Sequence, residues 1–377
     1  MPYIPNVVGN ASLDATTLNA IAGDIGLGVT VVEDNVQTLY TYGSAVLAET
    51  SMMNKWYTAL INKIVRSRLV NTMYKNRLAP TFKGVLDIGD GVEEILVPPA
   101  GVYQQNPDKD NPRSPFNADL PSIYVKWHVT NAEMVYSVRV NRKRLRQAFT
   151  SFSALDAFAQ YLVDSLYNGY EWDSQLLTKF KAAQAALNAI TNNTAIAVTS
   201  PLTGDGTEFL ASAREYAELF RWMSDKYNDA GVPVATVGDK LYTIMTAGVE
   251  AHVDVKDLAA AFNLEYAQFL GRRMPIDSFT FTDGEKARIM TIAGLDSWVF
   301  TEEQETALES VLGIICDIDF FQIYDRMEPE LWENSNGAEA EINYFLHADK
   351  IVALSPFANY IVFVAGEEEP EDLYVEP

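Results

Sequence analysis

The sequence predicts an α+β fold, and three observations carry that reading. A helical stripe holds for about 34 residues in mid-chain. Strand-like runs precede it, and the second half mixes short strands with helices. Of the 377 residues, 48% are hydrophobic and 11% aromatic, the composition of a folded chain with surface enough for two domains or one subdivided domain. No apolar run reaches the ~20 residues of a membrane helix, so no membrane partner is expected. The start, MPYIPNVVGN, lacks the basic patch and apolar core of a secretory signal. Cys316 is the only cysteine. It stands in the apolar run VLGIICDI and reads as a small buried hydrophobe.

The net charge of −23 is unevenly spread. Residues 1–182 hold 17 basic and 17 acidic side chains, and residues 183–377 hold 11 and 34, so the second half carries the whole excess. A field of that sign disfavours phosphate-backbone binding as the main task and favours solubility at high local concentration. The tail EEEPEDLYVEP, residues 367–377, contributes six acids and reads as a solvated terminus.

Residues 11–30 (ASLDATTLNAIAGDIGLGVT) are mostly small and without a strong period, which predicts an extended arm ordered only against something else. From Asn54 onward, Trp56, Leu60, Ile64, Leu69 and Met73 recur at roughly helical spacing until Pro80 stops the helix. Residues 84–99 (GVLDIGDGVEEILVPP) read as two strands around a Gly-Asp-Gly turn. The polar stretch 104–121 carries prolines at 107, 112, 115 and 121, which exclude regular structure. Loops so long are usually functional or reach beyond the fold. The runs EEILV, IYVKWHV and MVYSVRV flank it and together would project it as a tip.

Ser153, with Asp156 three residues on, resembles a capping box that opens a helix to about Asn188. Leu155, Phe158, Leu162, Leu166, Gly169, Asp173, Leu176, Phe180, Ala183 and Leu187 form its stripe, interrupted only by Gly169 and Asp173. Leu155, Phe158, Leu162 and Leu166 are its expected core face. Such a rod is ~50 Å long, a scaffold strut. Lys179 and Lys181 suit the C-terminal end of its dipole. Composition then marks a boundary at Thr191–Gly206. Beyond it, FLASAREYAELFRWMSDKYN and VDVKDLAAAFNLEYAQFL read as helices, and VPVATVG, ARIMTIAG and GIICDIDFFQIYD as strands. The run INYFLHADKIVALSPFANYIVFVAG is strand-like and ends the fold.

No catalytic, cofactor or metal residue is predicted. The three histidines, His128, His252 and His347, form no HExxH motif and no cluster with metal spacing. Neither GxSxG, a phosphate-binding Gly-rich loop nor a dinucleotide fingerprint occurs. Asp87 and Asp90 match a calcium loop only in part and read as a plain turn. Carboxylates are abundant, so a secreted or surface carbohydrate-acting enzyme stands as an alternative that lacks its signal peptide. The run Arg142, Lys143, Arg144 and Arg146 has no interleaved aromatics for base stacking and reads as solvated surface or an intersubunit contact.

The order of these elements resembles the subunit of tailed-bacteriophage capsids with the Hong Kong 97-type fold. Five segments sharpen it toward capsid proteins of small Bacillus podophages and Firmicutes prophages: GVEEILV (91–97), residues 145–180, DVKDLAAAFNLEYAQFLGRRMPIDSF (254–279), CDIDFFQIYDR (316–326) and INYFLHADKIVALSPFANYIVFV (342–364). The resemblance implies an N-terminal arm and short helix over 1–50, a peripheral helix and strand over 51–94, and an extended two-stranded loop over 95–135. A peripheral domain with the spine helix follows over 136–192, an axial domain over 193–340, a returning peripheral strand over 341–366 and the acidic tail over 367–377. It implies a major capsid protein that self-assembles into hexamers and pentamers, forming an icosahedral or prolate shell around double-stranded DNA held by weak contacts. A separate scaffolding protein, a portal at one vertex and assembly in the host cytoplasm go with that reading, and no added immunoglobulin-like domain is expected. Lys109 and Arg113 in the loop join Arg142, Lys143, Arg144 and Arg146 as candidate intersubunit contacts. Lys109 and Lys126 match a cross-linking lysine by position alone, and no cross-link is expected. A portal or tail protein is the other phage alternative, although tail-tube proteins lack so long a helix.

Overall fold

Helix α1 (Ala15–Ile25) stands where the small-residue composition suggests an extended arm. Leu18, Ile21 and Ala22 share one of its faces and are buried in a core with Leu39, Tyr42 and Val46 of α2 (Val36–Ala48). Elsewhere in this core, in α2, Gly43 is closely packed: a Cβ there would lie 2.8 Å from the Phe149 ring. Asn35 caps α2 by accepting from the backbone N–H groups of Gln37 and Thr38. The Asn19 side chain donates to Val31 O at 2.8 Å and accepts from Val31 N at 2.6 Å, tying down the segment between the helices.

This is a computed structural model. It describes residues 15–32, 35–49, 51–56, 59–60, 76–86, 89, 91–100, 122–141, 149, 152–203, 206–237, 240–252, 272–336 and 341–366. After α2 come strands β1 (Phe82–Val85), β2 (Gly91–Leu96), β3 (Tyr124–Val129) and β4 (Ala132–Asn141), then helix α3 (Phe152–Thr191). Next are β5 (Ile196–Val198), α4 (Thr207–Leu219), β6 (Leu241–Thr246), α5 (Ala247–His252), β7 (Arg272–Ile276), α6 (Asp283–Ala293) and α7 (Glu302–Glu309). Strands β8 (Val311–Asp317), β9 (Phe321–Asp325), β10 (Glu330–Asn336), β11 (Glu341–Leu354) and β12 (Tyr360–Ala365) follow. Among the described residues, no helix is long and apolar enough to cross a membrane.

The chain divides into two units. The first takes Met1–Asn76, Met134–Asp173 and Glu328–Ala348. Its core adds Met53, Trp56, Leu60, Val140, Phe149, Ile342 and Tyr344 to the α1 and α2 residues. Trp56 Nε1 donates to the Tyr42 hydroxyl at 2.9 Å, which donates to Leu18 O at 3.0 Å. Strands β10 and β11 pair antiparallel from Glu330↔His347 to Asn336↔Glu341.

The second unit takes Arg77–Glu133, Ser174–Met327 and Asp349–Pro377. Its main sheet has the order β5-β12-β8-β6-β7. Phe209, Ala213 and Ala217 of α4 are buried in one core with Met245, Ile315 and Phe363. Strand β12 lies between β5 and β8, and YIVFVA, buried on both faces over its first four residues, reads as a central strand. A strand expectation is corrected here. The run ARIMTIAG is helical, within α6. Thr282 and Glu285 close a capping box before it, and Gly294, in the left-handed region, ends it.

The long helix fits the stripe closely, running 40 residues to Thr191. From Asp173 to Ala189 burial spreads beyond the stripe, with Ala182, Ala183, Ala185, Ala186 and Ala189 all enclosed. The alanines are small enough to let neighbours pack closely on more than one side of the helix. Asp173, the polar interruption, accepts from the Tyr136 hydroxyl at 2.8 Å. Lys179 is not at a helix end. It is buried in mid-helix, its ammonium 2.8 Å from Asp277 and 3.3 Å from Glu285, and 5.1 Å from the centre of the Phe281 ring.

Candidate intersubunit surface

The hairpin expected within residues 84–99 does not form. Strand β1 pairs parallel with β9, from Phe82↔Ile323 to Val85↔Asp325, whereas β2 pairs antiparallel with β3, from Gly91↔Val129 to Leu96↔Tyr124. Between β1 and β2, Gly89 has a φ of 122°, a backbone conformation that favours glycine. Strands β2 and β3 form the two-stranded ribbon that flanks the proline-rich loop.

The pleat sends alternate side chains to opposite faces of that ribbon. On one face Ile95, Val125, Trp127 and Val129 are exposed, at 56%, 46%, 61% and 63%. Ile123 and Val97 extend the exposed apolar surface. On the other face His128 is buried, and the Tyr124 ring lies edge-on to Phe357 at 6.5 Å. A patch of six large apolar side chains is beyond the scattered hydrophobes of a monomer surface and marks an interaction site. An isolated two-stranded ribbon is also marginally stable in water, so a partner surface would stabilise it.

His128 and Ser355 meet on Glu94. The carboxylate only accepts, so His128 Nε2 carries the proton it donates to Glu94 Oε2 at 3.1 Å, while the Ser355 hydroxyl donates to Oε1. In a nucleophilic triad the imidazole faces the hydroxyl; here the carboxylate stands between them. Cys316 is fully buried, and burial pushes its thiol well above the usual range, which suits the structural role expected of it.

The sequence-predicted residues fall unevenly. Leu166 is buried. Leu155, Phe158 and Leu162 lie on α3, but their side chains are outside the described residues, as are Lys109, Arg113, Arg142, Lys143, Arg144 and Arg146. The exposed ribbon face was not singled out from sequence, although IYVKWHV alternates large apolar residues with Lys126 and His128, the available signal.

A model of the Phi29-like phage major capsid proteins matches residues 26–364. The chain belongs to that family. It is 30% identical over 337 residues to the major capsid protein of Bacillus phage GA-1, spanning 88% of this chain and 64% of that protein. The major capsid protein of Bacillus phage B103 is 24% identical over 343 residues, spanning 89% and 69%. This capsid-family chain thus spans about two thirds of the length of those relatives. Its fold matches a capsid structure of Staphylococcus phage Andhra with TM-score 0.56 and 13% identity, covering 78% of this chain and 85% of that one. That fold is the Hong Kong 97-type, and the α+β expectation holds.

Proposed function

We propose that the chain is the shell-building subunit of a phage head, present in the virion as hexamers and pentamers that close around double-stranded DNA. The ribbon carries this reading: its outward apolar face is a surface for a second copy. Closed symmetric assembly requires large complementary surfaces rather than a pocket. The ribbon enlarges each contact, and many weak contacts sum by multivalency. The loop residues Lys109 and Arg113, and the basic run Arg142, Lys143, Arg144 and Arg146, supply charge against the acidic second half of a neighbour. A scaffolding protein, a portal at one vertex and assembly in the host cytoplasm complete the proposal.

The test is Trp127→Glu. The variant should keep its circular dichroism spectrum, because Trp127 is largely exposed. It should fail to form shells by negative-stain microscopy, alone or with its scaffolding protein. Shells formed at the normal rate would remove the ribbon from the intersubunit contact.

A further inference from the structure

The ribbon is held on its own unit at places of differing leverage. Below β3, Asn131 clamps the edge of β11: its side chain donates to Val352 O at 2.8 Å and accepts from Val352 N at 2.9 Å. At the start of β2 the backbone has a glycine joint. Gly89 occupies a conformation that favours glycine, and a Cβ on Gly91 would lie 2.8 Å from His128 O. Glu94 sits three residues further along β2, ~10 Å from that joint at ~3.4 Å per residue. Both of its oxygens are engaged, one by His128 of β3 and one by Ser355, just past β11. Ser355 also accepts from the Phe357 N–H at 3.2 Å, and Phe357 is the ring beside Tyr124. Lys126 stands opposite Glu94 in the ladder. Burial, with lesser contributions from the negative charges of Asp319 and Glu94, raises the Tyr324 phenol. One carboxylate thus joins both ribbon strands to the sheet at a point away from their joint.

We propose that Glu94 is a positioning residue, a latch that fixes the angle of the β2–β3 ribbon and so aims Val125, Trp127 and Val129 at a second copy. The aiming rests on the shell-building reading; the latch does not. Hydrogen exchange on the unassembled full chain reads the latch directly. Glu94→Leu should speed exchange at Gly91–Leu96 and Tyr124–Val129 by about tenfold or more, leaving the β5-β12-β8-β6-β7 sheet unchanged. Glu94→Gln, whose amide oxygen still accepts from Ser355, should recover most of the protection. Ser355→Ala removes one partner and keeps the carboxylate, and should give an intermediate rise; it serves as the reading if Glu94→Leu fails to fold.

Unchanged ribbon exchange in the folded Glu94→Leu variant, or in Ser355→Ala if that is the reading, overturns the latch, whatever assembly does. Faster exchange with shells forming at the normal rate supports the latch and overturns the aiming. Trp127→Glu, run in parallel, should block shells without speeding ribbon exchange. If it assembles normally, the shell-building role of this face fails while the exchange result still decides the latch.

Discussion

Lys350 and Asp325 sit in the sheet interior, 2% and 4% exposed, with Lys350 Nζ 2.5 Å from the carboxylate and 5.2 Å from the centre of the Phe82 ring. Neither ion is tolerable there alone, so Lys350→Met should cost roughly 3–5 kcal/mol in urea unfolding. Adding Asp325→Leu should return much of it, and the non-additivity measures the coupling. Tyr42 gives a pH test. Burial lifts its hydroxyl from 10.0 to about 12, against the opposing hydrogen bond from Trp56. The unfolded phenol loses its proton first. The stability linked to Tyr42 is therefore whole below pH 10 and falls as pH rises toward about 12. Tyr42→Phe should flatten this fall in part, since Tyr167, Tyr324 and Tyr360 are raised as well. Unfolding followed by tyrosine absorbance across that range checks it. At this scale the sequence conveyed less than at the next. Lys179 lies near the end of the apolar stripe, but its counter-ions come from residues about 100 positions away, beyond any local signal.

The long helix was the most legible element, because its apolar period is local and repeated. The second half departs from a simple stripe, and that departure is testable. Ala186→Leu should cost about 1–3 kcal/mol through overpacking, whereas Asn188→Ala, on an exposed site, should stay within about 0.5 kcal/mol. Equal effects in urea titrations would mean that the enclosed alanines are not tightly packed. The other elements show what period alone misses. α1 is written in small residues whose burial depends on α2 and Trp56. β1 and β2 look like a hairpin, yet each takes a partner from a distant segment. α6 has strand-like residues in its middle, and its helical state is set by Thr282, Glu285 and Gly294 at its ends. The ribbon strands were legible as strands, but which face is left outward depends on the pleat and on His128, Glu94 and Ser355 coming together.

Over the whole molecule the asymmetry of charge sets a condition on assembly. Residues 183–377 carry the entire −23, so identical acidic surfaces brought together in a tiled shell repel one another. An apolar contact such as the one proposed for the ribbon face would supply attraction against that repulsion. In the proposed shell, the basic run Arg142, Lys143, Arg144 and Arg146, in the neutral half, would be the complement: facing an acidic surface of the next copy it would both steer association and fix orientation. Changing Arg142, Lys143 and Arg144 together to Glu tests that assignment. The variant should remain folded and assemble slowly at low salt. Added salt should narrow its deficit relative to the unmodified protein, because charge effects between exposed groups are screened within ~10 Å at about 0.1 M. Light scattering during assembly, repeated across salt concentrations, gives both readings. Normal empty shells with altered packaging would place the run against DNA instead. Unchanged assembly and packaging would leave it as solvated surface, and the orientation of copies would then have to come from the loop and ribbon alone.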